Sequence, residues 1–190
     1  MTKAALLALL LLLAACTEET AQNVDPVALT PQAVDHFCQM NVAEHEGPKA
    51  QIHLDGLPGT PLFFAQVRDA IAYQRLPEQT HRILALWVSD MGHPGATWAD
   101  PGPGNWIAAE TAFFVIGSAR MGGMGAPELV PFADADRATA FARANGGRVV
   151  TLDAIPDSAV IAPDTPAPAA DDADIRARLK ALAPHAHAGG

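Results

Sequence analysis

Cysteine is scarce in this 190-residue chain, which has only Cys16 and Cys38. No cysteine or histidine set shows zinc-ligand spacing, which argues against a closed structural zinc site. Basic residues are also few: 12 Lys and Arg stand against 21 Asp and Glu, giving a net charge of -9 and a pI near 5.0. That balance argues against nucleic-acid binding, which needs a basic footprint. No apolar run approaches the roughly 20 residues of a membrane-spanning helix. A phosphate loop is missing too, because Met121-Gly122-Gly123-Met124-Gly125 lacks the Lys-Ser/Thr step that would follow. No nucleophile, histidine and orienting carboxylate occur with motif support, so the chain is not expected to be an enzyme.

The N-terminus is informative. Lys3 precedes a 12-residue apolar run, Ala4 to Ala15, ending Leu13-Ala14-Ala15-Cys16. A short positive segment, a short apolar core and small residues make a secretory signal. With a cysteine directly after them, the segment resembles the bacterial lipobox, which implies cleavage before Cys16 and lipidation on it. More than one acyl chain gives stable anchoring. The expected location is therefore the periplasm, on a membrane. Glu18 rather than aspartate at the second position after Cys16 slightly favours the outer membrane. Residues 17–31 are polar, acidic and broken by proline, and read as a flexible tether.

Lipidation of Cys16 would leave Cys38 as the single thiol, in a compartment where thiols ordinarily pair. A lone thiol there is buried, reactive, paired between molecules, or bound to metal. His36, Cys38 and Met40 alternate. In an extended strand they would share one face. Thiolate and thioether are soft donors, and softness selects Cu(I). The plain alternative is a core cysteine beside a gap-filling methionine. His36, His45, His53 and His93 are possible secondary donors. Met91 reads as packing, His81 as structural, and His185 and His187 as part of a solvated tail.

The lipoprotein signal followed by Cys38-Gln39-Met40 resembles the NosL family, copper-binding accessory lipoproteins of nitrous oxide reductase assembly. A second segment strengthens the likeness: Gly117-Ser118, a Met-Gly step at Met124-Gly125, then Glu128-Leu129-Val130-Pro131-Phe132. The resemblance covers His36 to about Leu152. It implies Cu(I) held by Cys38, Met40 and Met124, with Met121 as an additional methionine nearby. It also implies delivery of copper to the copper-sulfide cluster of nitrous oxide reductase through the assembly ABC-transporter complex. Two rival readings stand beside it: a thiol-dependent reductase or organometal lyase using Cys38, and a structural lipoprotein.

The body carries a degenerate repeat. Pro61 to Ala70 aligns with Leu129 to Ala138, setting Phe64 on Phe132 and Ala65 on Ala133. Strand candidates are Ala50 to Leu54, Arg82 to Val88, Thr111 to Ile116 and Arg148 to Leu152. Asp134 is placed to cap a helix ending at Asn145, before Gly146-Gly147. The expected architecture is α+β: two related ββαβ halves after a lipoprotein signal and tether. Its boundaries are 1–15 for the signal, 16–31 for the lipidated tether and 32–90 for the first half. A Gly/Pro-rich loop takes 91–105, the second half 106–156, and a Pro/Ala-rich tail 157–190, with a possible helix from Asp171 to Leu182. NosL resemblance implies the same two halves.

Overall fold

A computed structural model describes residues 21–161. Cys16, the apolar run before it, the Asp171 to Leu182 segment, His185 and His187 lie outside the described residues. The architecture is α+β. In the first half, β1 (Ala50–Leu54), β2 (Leu62–Phe64), α1 (Val67–Arg75) and β3 (Ile83–Ser89) follow in order. In the second, β5 (Phe113–Ile116), β6 (Val130–Phe132), α2 (Ala135–Asn145) and β7 (Arg148–Thr151) repeat that order. With β4 (Trp106–Ala108) added, the sheets run β2-β1-β3-β4 and β6-β5-β7. Each half thus places its first strand centrally, between two antiparallel neighbours.

Position in the sheet explains the burial. β1 is buried at all five residues because it is paired on both edges and covered on both faces. Its Ala50, Ile52 and Leu54 pack with Val67, Ala70 and Ile71 of α1, in one core with Phe114 and Ile116 of β5. Val115, on the opposite face of β5, packs with Val130, Phe132 and Ala138. Alternation along β5 therefore joins the two halves through one face and seats α2 on the other. The repeat is physical at Ala70 and Ala138, which align in sequence and are both fully buried. Asp134 caps α2 by accepting the Arg137 amide at 2.9 Å, and Gly146 ends the helix at φ 77°.

Three features differ from the sequence reading. The strand β4 (Trp106–Ala108), assigned by sequence to the second half, pairs with β3 and extends the first sheet. A 3-10 turn, Ala109–Thr111, then separates it from β5, so that strand begins at Phe113 rather than Thr111. Residues 21–31, read as tether, are strapped to the first sheet. Gln22 donates to the Leu54 carbonyl at 2.9 Å and accepts the Gly56 amide at 3.0 Å. The Trp87 indole donates to Val24 O at 2.8 Å. The Gln51 side-chain amide makes two 2.9 Å bonds with the Val27 backbone. Polar side chains on the strands thus supply the holding force that the strap's own composition lacks.

This strap seals His53, which is 1% exposed. Its Nε2 lies 3.2 Å from Gln51 Oε1, and its Nδ1 is buried with no partner. Burial holds the imidazole pKa below the usual value, against a smaller opposing pull from Asp25. The neutral ring is therefore the folded form. Below about pH 6.5 the unfolded chain gains a proton that the folded chain refuses, so stability is lost as pH falls. The loss is up to about 1.4 kcal/mol per pH unit until the folded ring titrates. A His53→Gln variant should lack this decline. Denaturant melts of both chains from pH 7 to 5 should diverge; parallel curves would show that His53 does not titrate with unfolding.

Candidate metal centre

Residues 34–41 do not form the strand that would have aligned His36, Cys38 and Met40. Val34 bridges Asn41 and Asp35 bridges Phe63, but residues 36–38 form a turn. Asp35 is the cause. Its Oδ1 accepts the amides of Phe37 at 2.8 Å and Cys38 at 2.9 Å, and its Oδ2 accepts that of Ala65 at 2.7 Å. A carboxylate that bonds the amides two and three residues on competes with extended pairing. The Gln39 amide closes on Asp35 O at 3.0 Å, and Gln39 takes φ 59°. Burial alone would raise the Asp35 pKa, but the three amides and the Cys38 side chain outweigh it and hold it low. The result is a fixed anionic pivot that presents Cys38 half-buried and Met40 exposed.

The turn separates the expected donors. His36 leaves the sulfur pair and enters an aromatic cluster, with its ring 5.1 Å from Tyr73 and 5.6 Å from Phe64. His53 is sealed beneath the strap. His93 sits in an exposed turn that belongs to the second half. There Asp90 repeats the role of Asp35: its Oδ1 accepts the Gly92 amide at 2.8 Å and the Ala133 amide at 3.0 Å. The Met91 amide meets Pro131 O as the His36 amide meets Phe63 O. Met91 packs against the second core cluster, as its sequence reading held.

Met121 and Met124 belong to a closed turn. Met121 bridges Pro127, Gly122 donates to Ala126 O at 2.8 Å, and Gly125 donates to Gly122 O at 2.8 Å. The Met124 amide donates to Gln66 Oε1 at 3.1 Å. A Cβ on Gly122 would lie 2.3 Å from that oxygen and 2.6 Å from Glu128 Oε2; one on Gly123 would lie 2.6 Å from His45 Cβ. Glycine lets this turn lie flat on its supports. His45 is thereby brought against the methionine turn, and its Nε2 is buried without a partner.

The two sulfur-bearing turns are tied to adjacent residues just before α1. The Cys38 turn is tied by Asp35 to Ala65, and the methionine turn is tied through Met124 to Gln66, the N-cap of α1. Adjacent α-carbons are 3.8 Å apart. Gln66 makes no cap bond to its own helix, and Glu128 from the second half takes that role, accepting the Arg68 amide at 3.1 Å. Its Oε2 has no partner. Complete burial pushes the Glu128 pKa up to about 8, despite amides from Leu129 and Arg68 that favour the anion. Lys49 lies in the same interior, donating to the His45 and Ala65 carbonyls, and burial brings its pKa down to about 8. Asp35, Lys49, Gln66 and Glu128 are supports that the sequence reading did not select. Only Glu128 had a signal, as the acidic residue opening Glu128-Leu129-Val130-Pro131-Phe132.

Three thioethers stand open around this junction: Met40 is 45% exposed, Met121 47% and Met124 40%. Among the described residues, no group of three or more His, Cys, Asp or Glu could hold a metal. The junction offers the Cys38 sulfur and the exposed methionine thioethers as candidate donors. That donor set prefers Cu(I) to Zn(II), Mg or Ca.

Residues 26–160 match the family model for NosL. Over 180 residues the chain is 58% identical to the copper-binding lipoprotein NosL of Achromobacter cycloclastes, covering 94% of this chain and 92% of that protein. It is 32% identical over 139 residues to the copper-binding lipoprotein NosL of Stutzerimonas stutzeri, covering 73% and 70%. The fold also resembles the crystal structure of the copper chaperone NosL from Shewanella denitrificans. The TM-score is 0.64 at 28% identity, covering 70% of this chain and 96% of that one.

Proposed function

The chain belongs to the NosL family, and from that premise we propose that it is a lipid-anchored Cu(I) carrier of the periplasm. The observation that carries the reading is the convergence of two sulfur-bearing turns on Ala65 and Gln66. Cys38 supplies the thiolate, and Met40 and Met124 supply the thioethers. Met121 and His45 lie at the edge of the same place. Lipidation of Cys16 anchors the chain. The cargo goes to the copper-sulfide cluster of nitrous oxide reductase by way of the assembly ABC-transporter complex.

Carrier behaviour follows from the openness of the donors. Exposed thioethers let an incoming sulfur ligand add before an outgoing one leaves, so copper passes by exchange without being freed. The thiol proton must leave when copper binds, which makes affinity fall with acid. The protein from Thr17 onward should take one tight equivalent of Cu(I) in competition with a Cu(I) chelator. X-ray absorption should then show sulfur as the majority neighbour. Equal retention of Zn(II), or a first shell dominated by nitrogen and oxygen, would rule the reading out.

A further inference from the structure

The strap sets a direction for the whole molecule. It begins at Gln22, clamped between the Leu54 carbonyl and the Gly56 amide. It proceeds through Val24 at Trp87 and Val27 at Gln51, and Leu29 donates to Pro103 O at 2.8 Å. It reaches Asp35, which bridges Phe63 and bonds Ala65. Phe63 pairs with Gln51 and Phe64 with Ala50. The strap therefore climbs β1 from its Leu54 end to its Ala50 end. The Cys38 turn hangs off the Ala50 end, and the turn after β1, with exposed Leu57, occupies the other.

Chain length converts this path into an orientation. From Cys16 to Cys38 is 22 residues, which as free chain would reach about 75 Å. Such a tether would let the site face any way. With Gln22 held at the start of the strap, Cys16 is six steps away and can lie at most about 20 Å from it. A folded body of this size has a radius of gyration near 14 Å and is roughly 37 Å across. Turning the body over, so that the side opposite Gln22 met the bilayer, would set Gln22 about 37 Å from it, farther than the leash of at most about 20 Å to Cys16 allows.

We propose that the strap holds the anchored protein with the turn at residues 55–58 toward the lipid headgroups and the Cys38–Met124 junction toward the aqueous side. The bilayer is the partner of the Leu57 end, and the copper site is presented away from it. The inference rests on the lipid anchor at Cys16.

The test uses the full lipidated chain in nanodiscs doped with a gadolinium-chelating headgroup lipid. Paramagnetic broadening of the amides at Gly56 and Leu57 should exceed that at Phe37, Cys38 and Gly122 to Gly125 by on the order of tenfold or more, given leash and body lengths. A second chain carries about twelve Gly/Ser residues inserted between Glu19 and Thr20, enough to more than double the leash. Its gradient should flatten. Equal broadening at both ends in the uninserted chain would overturn the orientation while leaving the anchor intact. A gradient unchanged by the insertion would overturn the leash as its cause. Mass spectrometry showing an unmodified Cys16 in membrane-extracted protein would overturn the anchor, and the orientation with it.

Discussion

Serine in place of Cys38 should lower Cu(I) affinity by on the order of a hundredfold or more, because no other thiolate remains and a hydroxyl is a poor soft ligand. The fold should hardly notice. Serine has nearly the shape of cysteine, and the Asp35 carboxylate holds this turn through the Phe37 and Cys38 backbone amides, which the change leaves in place. Stability should stay within about 0.5 kcal/mol, as for most half-exposed positions outside a core or network. Met40→Leu keeps the volume and removes one donor, so it should weaken binding less. Chelator competition paired with denaturant melts separates the two quantities. A Cys38→Ser protein with native stability and native copper affinity would remove the thiolate from the site.

Much of the fold was legible in the sequence. The β-branched runs marked β3 and β7 to within a residue, and Asp134 with Gly146 fixed both ends of α2. Each of these is a local signal. The Cys38 segment was misread because alternation of His36, Cys38 and Met40 imitates a strand. What overrides it is Asp35, whose carboxylate gathers two local amides and one from Ala65, thirty positions away. The strap was misread for the same reason. Its composition has little to bury, and its hold comes from Gln51 and Trp87, which lie on strands much later in the chain. Even the pairing of Asp35 with Asp90 was hidden. Those two are 55 positions apart, whereas Phe64 and Phe132 are 68 apart, so no single offset aligns the halves. The donors themselves carry soft-ligand chemistry in their residue types, whereas the supports Lys49, Gln66 and Glu128 acquire theirs only from burial.

Gly123→Ala should separate the methionine turn from the rest of the site. Gly123 does not need the left-handed region, so an alanine there carries no backbone strain. The obstacle is contact: the new Cβ would lie 2.6 Å from His45 Cβ and 2.9 Å from both the N and O of Glu46. Two of those atoms are backbone and cannot swing aside, so the turn must lift. Overpacking of this kind costs about 1–3 kcal/mol. The lift also strains the Met124 amide bond to Gln66 and carries the Met124 thioether away from the Cys38 turn. Copper affinity should fall by about tenfold or more, comparable to losing a supporting contact of a metal ligand. Gly125→Ala is the control. That glycine sits at φ 77° with nothing within 4 Å of a Cβ, so it adds strain of about 1–2 kcal/mol without displacing the turn. Amide exchange at Gly122 to Gly125 should rise in the Gly123 variant and slow in the native chain when Cu(I) binds. If Gly123→Ala loses stability but keeps native copper affinity, the metal is held by the Cys38 turn alone, and Met124 is no ligand.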